Sequence, residues 1–172
     1  MKKLLLGLLF ALPLFVTAQN QSIQGEFIGI VEFNEERMLE LAEALPAETF
    51  AYTPSPGVRN VSQSLMHVAT GNYFFAMMWG SPPPEGVDLM SMEKTYTEKE
   101  EVLQALRDSY AHLKSTAETI SDEDLATRVQ FPDGSEYSIK TTMFIVTEHI
   151  GEHKGQLVAY ARMNGIAPPW SK

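Results

Sequence analysis

Four long stretches of the sequence have apolar residues every three or four positions, which is the spacing of an amphipathic α-helix. They run from about Ile23 to Leu45, from Asn60 or Ser62 to Trp79, from Thr97 to Ile120 and from Ser138 to Asn164. Each is followed by Pro, Gly or a short acidic run, which ends a helix. The pattern predicts an all-α fold, a four-helix bundle, with a long connection between the second and third helices.

The periodicity also predicts which residues face the core. On the first helix the expected inward residues are Ile23, Phe27, Ile30, Met38 and Leu41. On the third they are Leu103, Leu106, Tyr110, Leu113, Ala117 and Ile120. We interpret the Met and aromatic run at 73–79 as bundle core. The segment from Val129 to Tyr137 contains Pro-Asp-Gly between short apolar alternations, which predicts a turn or a small hairpin.

The first 18 residues have the features of a cleavable signal peptide. Lys2 and Lys3 precede an apolar run at 4–16, and Val16-Thr17-Ala18 supplies small residues for cleavage after Ala18. The apolar run is too short for an ordinary spanning helix, so we expect no stable membrane anchor. The expected mature chain, residues 19–172, suits one globular domain and a periplasmic or secreted location.

Composition excludes several classes of function. Thirteen Lys and Arg against 22 Asp and Glu give a net charge of −9, which repels phosphate backbones, so nucleic acid is not expected as a partner. The chain has no Cys, which excludes disulfides, thiolate metal ligands and a cysteine nucleophile. A metal ion would have to be held by His, Asp, Glu or backbone oxygen.

The positions of the histidines carry the main chemical signal. His149 and His153 are four apart on the fourth predicted helix, on the inward stripe that also holds Gln156 and Tyr160. Two adjacent buried imidazoles need partners for their ring nitrogens, and a divalent cation would supply one to each ring. His67 is the expected third ligand, with space beside it at Gly71.

The remaining polar residues near this pattern receive simpler interpretations. His112 has polar helical neighbours and is predicted to be a surface residue. Residues 149–153 match H-x-x-E-H, the inverted zinc-peptidase pattern, but that family needs a larger chain and a further acidic ligand downstream. We therefore expect Glu148 and Glu152 on the solvated flank of the helix, where either could also orient a ligand.

Two segments carry a resemblance to a known family. Residues 148–157, Glu-His-Ile-Gly-Glu-His-Lys-Gly-Gln-Leu, and residues 57–69, which lead into and include His67, resemble the signatures of the DinB/YfiT-like family. Further matches follow at 160–162 and 165–169. The resemblance covers the chain from about Ile23 to Trp170.

The resemblance implies a four-helix bundle, often dimeric, that binds a divalent metal through three His and leaves positions open for water. Carried over by position, the ligands are His67, His149 and His153. Members are described as metal-dependent hydrolases or thiol transferases. A homodimer is therefore an expectation here, and imidazole ligands suit zinc, nickel, iron or copper.

The leading functional hypothesis is an exported, metal-dependent hydrolase of a small molecule. A first alternative is a bundle that stores or senses a metal or another ligand without turnover. A thiol transferase is disfavoured by export, because family members that use low-molecular-weight thiols work in the cytosol. In a third alternative the three His pack as core residues and bind nothing.

Overall fold

The computed structural model describes residues 22–171, so the predicted signal peptide at 1–18 lies outside the described residues. The chain forms five α-helices: α1 (Ile23–Ala44), α2 (Val61–Met78), α3 (Met92–Thr95), α4 (Lys99–Thr119) and α5 (Ile139–Met163). Two short strands, β1 (Arg128–Gln130) and β2 (Glu136–Ser138), pair antiparallel before α5. Helices α1, α2, α4 and α5 are the four predicted from sequence, and the hairpin is also confirmed.

Three of the long helices begin at a side chain that caps their first turn. Ser22 accepts a hydrogen bond from the backbone N–H of Gly25, and Ser138 accepts one from that of Thr141. Asn60 forms a capping box with Gln63 at the start of α2. These bonds satisfy amide groups that have no partner inside the helix. They therefore position the first turn of α1, α2 and α5.

The four long helices close around one core. Both α1 and α2 pack against α4 and α5. Helices α1 and α2, although consecutive among the long helices, therefore lie diagonally across the bundle from each other. Fully buried side chains fill the centre, among them Met38, Leu65, Leu106, Tyr110 and Met143. Helix α5 is thereby held directly beside α2, which matters for the site described below. None of the helices within residues 22–171 is long and apolar enough to cross a membrane.

The inward face predicted for α4 is confirmed, because all six of its residues are buried. The face predicted for α1 is wrong at one position. Ile30 is 49% exposed, whereas Val31 is fully buried and Asn34 nearly so. The reason is geometric: from Phe27, a step of four residues to Val31 stays closer to the buried side than a step of three to Ile30.

The structure differs from the sequence prediction in two further details. The connection between α2 and α4 contains the one-turn helix α3, which the periodicity did not indicate. The run at 73–79 is only partly core, since Tyr73 and Phe75 are buried but Met77 is 41% exposed. Trp79, at the end of α2, donates a hydrogen bond from Nε1 to Thr142 Oγ1 of α5.

Candidate metal centre

The packing of α2 against α5 brings three histidines together. His67 comes from α2, and His149 and His153 lie one turn apart on α5. Their ring centroids are separated by 4.6 to 5.0 Å, and one nitrogen from each ring lies within 4.8 Å of the others. His153 is buried at 9% exposure, and the other two are half-buried. The three residues predicted from sequence thus form one group that could hold a metal ion.

A carboxylate orients His67. Its Nδ1 lies 2.8 Å from Oε1 of Glu93 in α3. The other carboxylate oxygen of Glu93 accepts a hydrogen bond of 2.8 Å from Nε of Arg59, just before α2. An acceptor at Nδ1 favours the tautomer with its proton there, which leaves Nε2 as a free electron-pair donor.

His153 is oriented by a similar network on the other side. Its Nδ1 lies 2.8 Å from Oε1 of Gln156, whose Nε2 donates to the hydroxyl of Tyr160 at 2.7 Å. That hydroxyl donates in turn to the backbone carbonyl of Arg59 at 3.2 Å. Both networks therefore end at Arg59, one at its guanidinium and one at its carbonyl.

His149 is held by close packing. Its Nδ1 is buried and has no hydrogen-bond partner among residues 22–171. A Cβ atom built on Gly71 would lie only 2.7 Å from Cε1 of His149 and 3.1 Å from its Nδ1. Gly71 therefore makes space for His149, and the expectation that it does so for His67 is wrong. One helical turn beyond His67, position 71 faces the ring on the neighbouring helix.

The surroundings of His149 and His67 favour the neutral forms of these two imidazoles. Burial and, to a smaller extent, the nearby His153, His67 and Arg59 together lower the pKa of His149 to about 4. Burial also lowers the pKa of His67, although the hydrogen bond to Glu93 partly opposes this. A neutral imidazole is the form that binds a metal ion, so neither ring must lose a proton at neutral pH.

Glu93 is ionised beside this group. Burial by itself raises the pKa of its carboxyl, but the hydrogen bonds from Arg59 and His67 outweigh that effect and hold the pKa below its usual value. The sequence alone predicted no role at the site for Glu93 or for Arg59. Arg59 falls inside a segment that resembles the family, whereas Glu93 sits in a long connection with no periodic signal.

The other candidates lie outside the group. Glu148 and Glu152 are exposed, as predicted for the solvated flank of α5. His112, predicted at the surface, is only half-exposed: its ring centroid lies 5.2 Å from that of Tyr73, and its Nε2 lies 3.2 Å from the carbonyl oxygen of Ser81. Within residues 22–171, the three His are the only set of three or more His, Asp or Glu close enough to share an ion.

A comparison with known protein families assigns this bundle with its three facing histidines to a superfamily. The sequence profile of the DinB superfamily matches residues 30–157, and the chain belongs to that superfamily. A search of curated proteins gave no match.

Solved structures share the fold at low sequence identity. A DinB-like protein from Bacillus cereus has a TM-score of 0.73 at 16% identity, covering 85% of this chain and 95% of that one. YfiT from Bacillus subtilis, described as a probable metal-dependent hydrolase, has a TM-score of 0.67 at 13% identity, covering 87% and 93%. A mycothiol-dependent maleylpyruvate isomerase has a TM-score of 0.65 at 13% identity, covering 80% of this chain and 61% of that one. At these identities the likeness establishes the fold alone.

The contact between Gly71 and His149 generates a prediction for Gly71→Ala. In an open helix this change stabilises by up to about 1 kcal/mol, because Ala has the higher helix propensity. Here the new methyl group would overlap the His149 ring, so we expect a lower free energy of unfolding than in the wild type. Urea denaturation measures the difference.

Gly155→Ala is the matched control, since position 155 is helical and exposed and an added Cβ meets nothing within 4 Å. It should stabilise the protein by roughly 0.5 to 1 kcal/mol. Equal stabilisation by the two substitutions would contradict the role given to Gly71.

Proposed function

We propose that the protein is an exported enzyme that binds one divalent metal ion through His67, His149 and His153 and hydrolyses a small molecule. The observation that carries the proposal is the convergence of three imidazole nitrogens within 4.8 Å from two packed helices. The description of YfiT as a probable metal-dependent hydrolase supports the reaction class. Export is inferred from residues 1–18.

The residues around the site suit an ion rather than a packed core. A core histidine would be expected to satisfy both ring nitrogens, yet Nδ1 of His149 is buried without a partner in the described part of the chain. Gln156 and Glu93 occupy the Nδ1 positions of the other two rings and leave their Nε2 atoms for an ion. These features favour metal binding over the alternative in which the three His bind nothing.

The donor set also suits a catalytic ion. When bound by three neutral nitrogen ligands, a divalent metal keeps its full positive charge and an open position, where it acts as a Lewis acid and lowers the pKa of a water molecule. The protein's part is to hold the rings: Glu93 and Gln156 fix two of them, and Gly71 allows the third to approach. A closed structural site would need a fourth protein ligand.

One comparison favours a second reaction. The mycothiol-dependent maleylpyruvate isomerase shares the bundle, so a reaction that uses a low-molecular-weight thiol is the second candidate. The predicted export argues against it, because such thiols are cytosolic in the family.

The first test is metal binding by single variants. We expect one zinc ion per wild-type chain after loading and dialysis, and most of it to be lost in His67→Ala and His153→Ala, since each removes one of three ligands. At a free zinc concentration of about 100 times its Kd, the native wild type should gain about 2.7 kcal/mol of stability over chelated protein. Elemental analysis and thermal denaturation measure both effects.

His112→Ala is the control, because it removes a histidine that lies outside the group. It should keep the zinc content of the wild type. Unchanged zinc content in both His67→Ala and His153→Ala would reject the metal site.

The second test is turnover. A panel of ester, amide and phosphoester substrates, assayed with zinc, nickel or iron and again with a chelator, should reveal hydrolysis that the chelator abolishes and that His149→Ala lacks. A thiol-dependent activity on the same protein would favour the second candidate. Tight metal binding together with no turnover in either assay would favour the non-catalytic bundle.

Glu93 generates a separate prediction as a positioning residue. Glu93→Gln keeps an oxygen for His67 Nδ1 but removes the charge, so we expect zinc affinity to fall by about 10-fold or more. A chelator competition titration measures the change. Glu85→Gln, an exposed change in the same connection, should leave the affinity as it is. Equal affinities of the two variants would show that the Glu93 contact does not tune the site.

A further inference from the structure

A separate pocket lies between α2, α4 and the connection that joins them. Its volume is about 470 Å³, within the range of roughly 300 to 1,000 Å³ that holds small ligands. Tyr73 lines it from α2, Met92 and Tyr96 from the connection, and Glu100, Glu101 and Asp108 from α4. None of its lining residues belongs to the histidine group.

The pocket has an apolar wall and an acidic wall. Tyr73, Tyr96 and Met92 supply aromatic and thioether surface, and three carboxylates face it from α4, with no Lys or Arg among the lining residues. Two cations on α4 are engaged elsewhere. Lys99 donates to backbone carbonyls at Glu43 and Leu45, and Arg107 pairs with the Glu43 carboxylate. The negative charge of the pocket is therefore not balanced by these side chains.

Tyr73 provides an unused polar group inside this pocket. Only 3% of the residue is exposed, and its hydroxyl forms no hydrogen bond with any residue in 22–171. The hydroxyl oxygen nevertheless keeps a small accessible surface. Tyr73 is one of the lining residues, so the exposed part of its side chain faces the pocket. Burial, with Asp108 and Tyr96 adding to it, raises the pKa of this phenol to about 12, so it stays protonated at neutral pH.

The arrangement of charge discriminates between kinds of cation. Within residues 22–171, these carboxylates do not come close enough together to share a metal ion. A singly charged organic cation does not need such convergence, because its charged group can pair with one carboxylate while the others add longer-range attraction. Aromatic side chains also attract organic cations through their π-electron faces.

We propose that this pocket binds a small protonated amine with an apolar body. The ammonium group lies beside the carboxylate of Asp108 and donates to the hydroxyl oxygen of Tyr73, while Glu100 and Glu101, about two helical turns away on α4, add to the attraction. The apolar body packs on Tyr96 and Met92.

The test uses three probes of one shape and different charge: 2-phenylethylammonium, neutral 2-phenylethanol and anionic phenylacetate. We expect the ammonium compound to bind the full mature protein at millimolar concentration or better. The methyl resonances of Val87 and Met92, which line the pocket, should shift in NMR spectra. The neutral and anionic probes should bind at least about fivefold more weakly, because the carboxylates attract only the cation.

Two substitutions locate the ligand. Asp108→Asn removes an exposed charge, and Tyr73→Phe removes only the hydroxyl, so each should weaken 2-phenylethylammonium binding by about fivefold. Glu118→Gln is the matched control, because Glu118 is an exposed carboxylate on α4 outside the pocket. It should leave binding unchanged.

The pocket shares no residue with the histidine group, so amine binding should be the same in chelated and zinc-loaded protein. Binding that requires zinc would place the amine at the histidines and overturn the proposal. So would equal binding of all three probes, or unchanged binding in both Asp108→Asn and Tyr73→Phe.

Discussion

The packing of α2 against α5 is the contact on which the candidate site depends. Each helix alone presents its histidines on an inward face, but only their side-by-side placement brings His67 within reach of His149 and His153. Gly71 permits that approach, because a side chain at this position would occupy the space of the His149 ring. The contacts between α2 and α5 around Gly71 and His149 thus determine both the packing of the two helices and the geometry of the site.

Electrostatics then favours the neutral forms of His149 and His67 at this contact. Burial and the proximity of the three rings oppose protonation of His149, whose pKa falls to about 4. Glu93 and Arg59 bring one negative and one positive charge beside His67, and they pair with each other. Arg59 therefore holds the carboxylate of Glu93 in place and also adds positive charge near the three histidines. Such an arrangement keeps ring nitrogens available as electron-pair donors across the physiological pH range.

The connection between α2 and α4 contributes to both polar regions of the bundle. Glu93 in α3 orients His67, while the adjacent Met92 is buried and lines the acidic pocket with Tyr96. A single turn of helix therefore touches the histidine group on one side and the pocket on the other. Long connections of this kind are common carriers of functional residues on a rigid scaffold.

Local sequence was sufficient for the four long helices and for the pair His149 and His153, because helical periodicity and an i, i+4 pair can be recognised within a few residues. The family resemblance identified His67 as the third ligand more strongly than residue spacing did. Tertiary structure alone decided the rest: that Gly71 faces His149, that Glu93 reaches His67, and that Ile30 turns outward. These contacts join segments far apart in sequence or depend on the exact rotation of a helix in the bundle, and no local pattern encodes either.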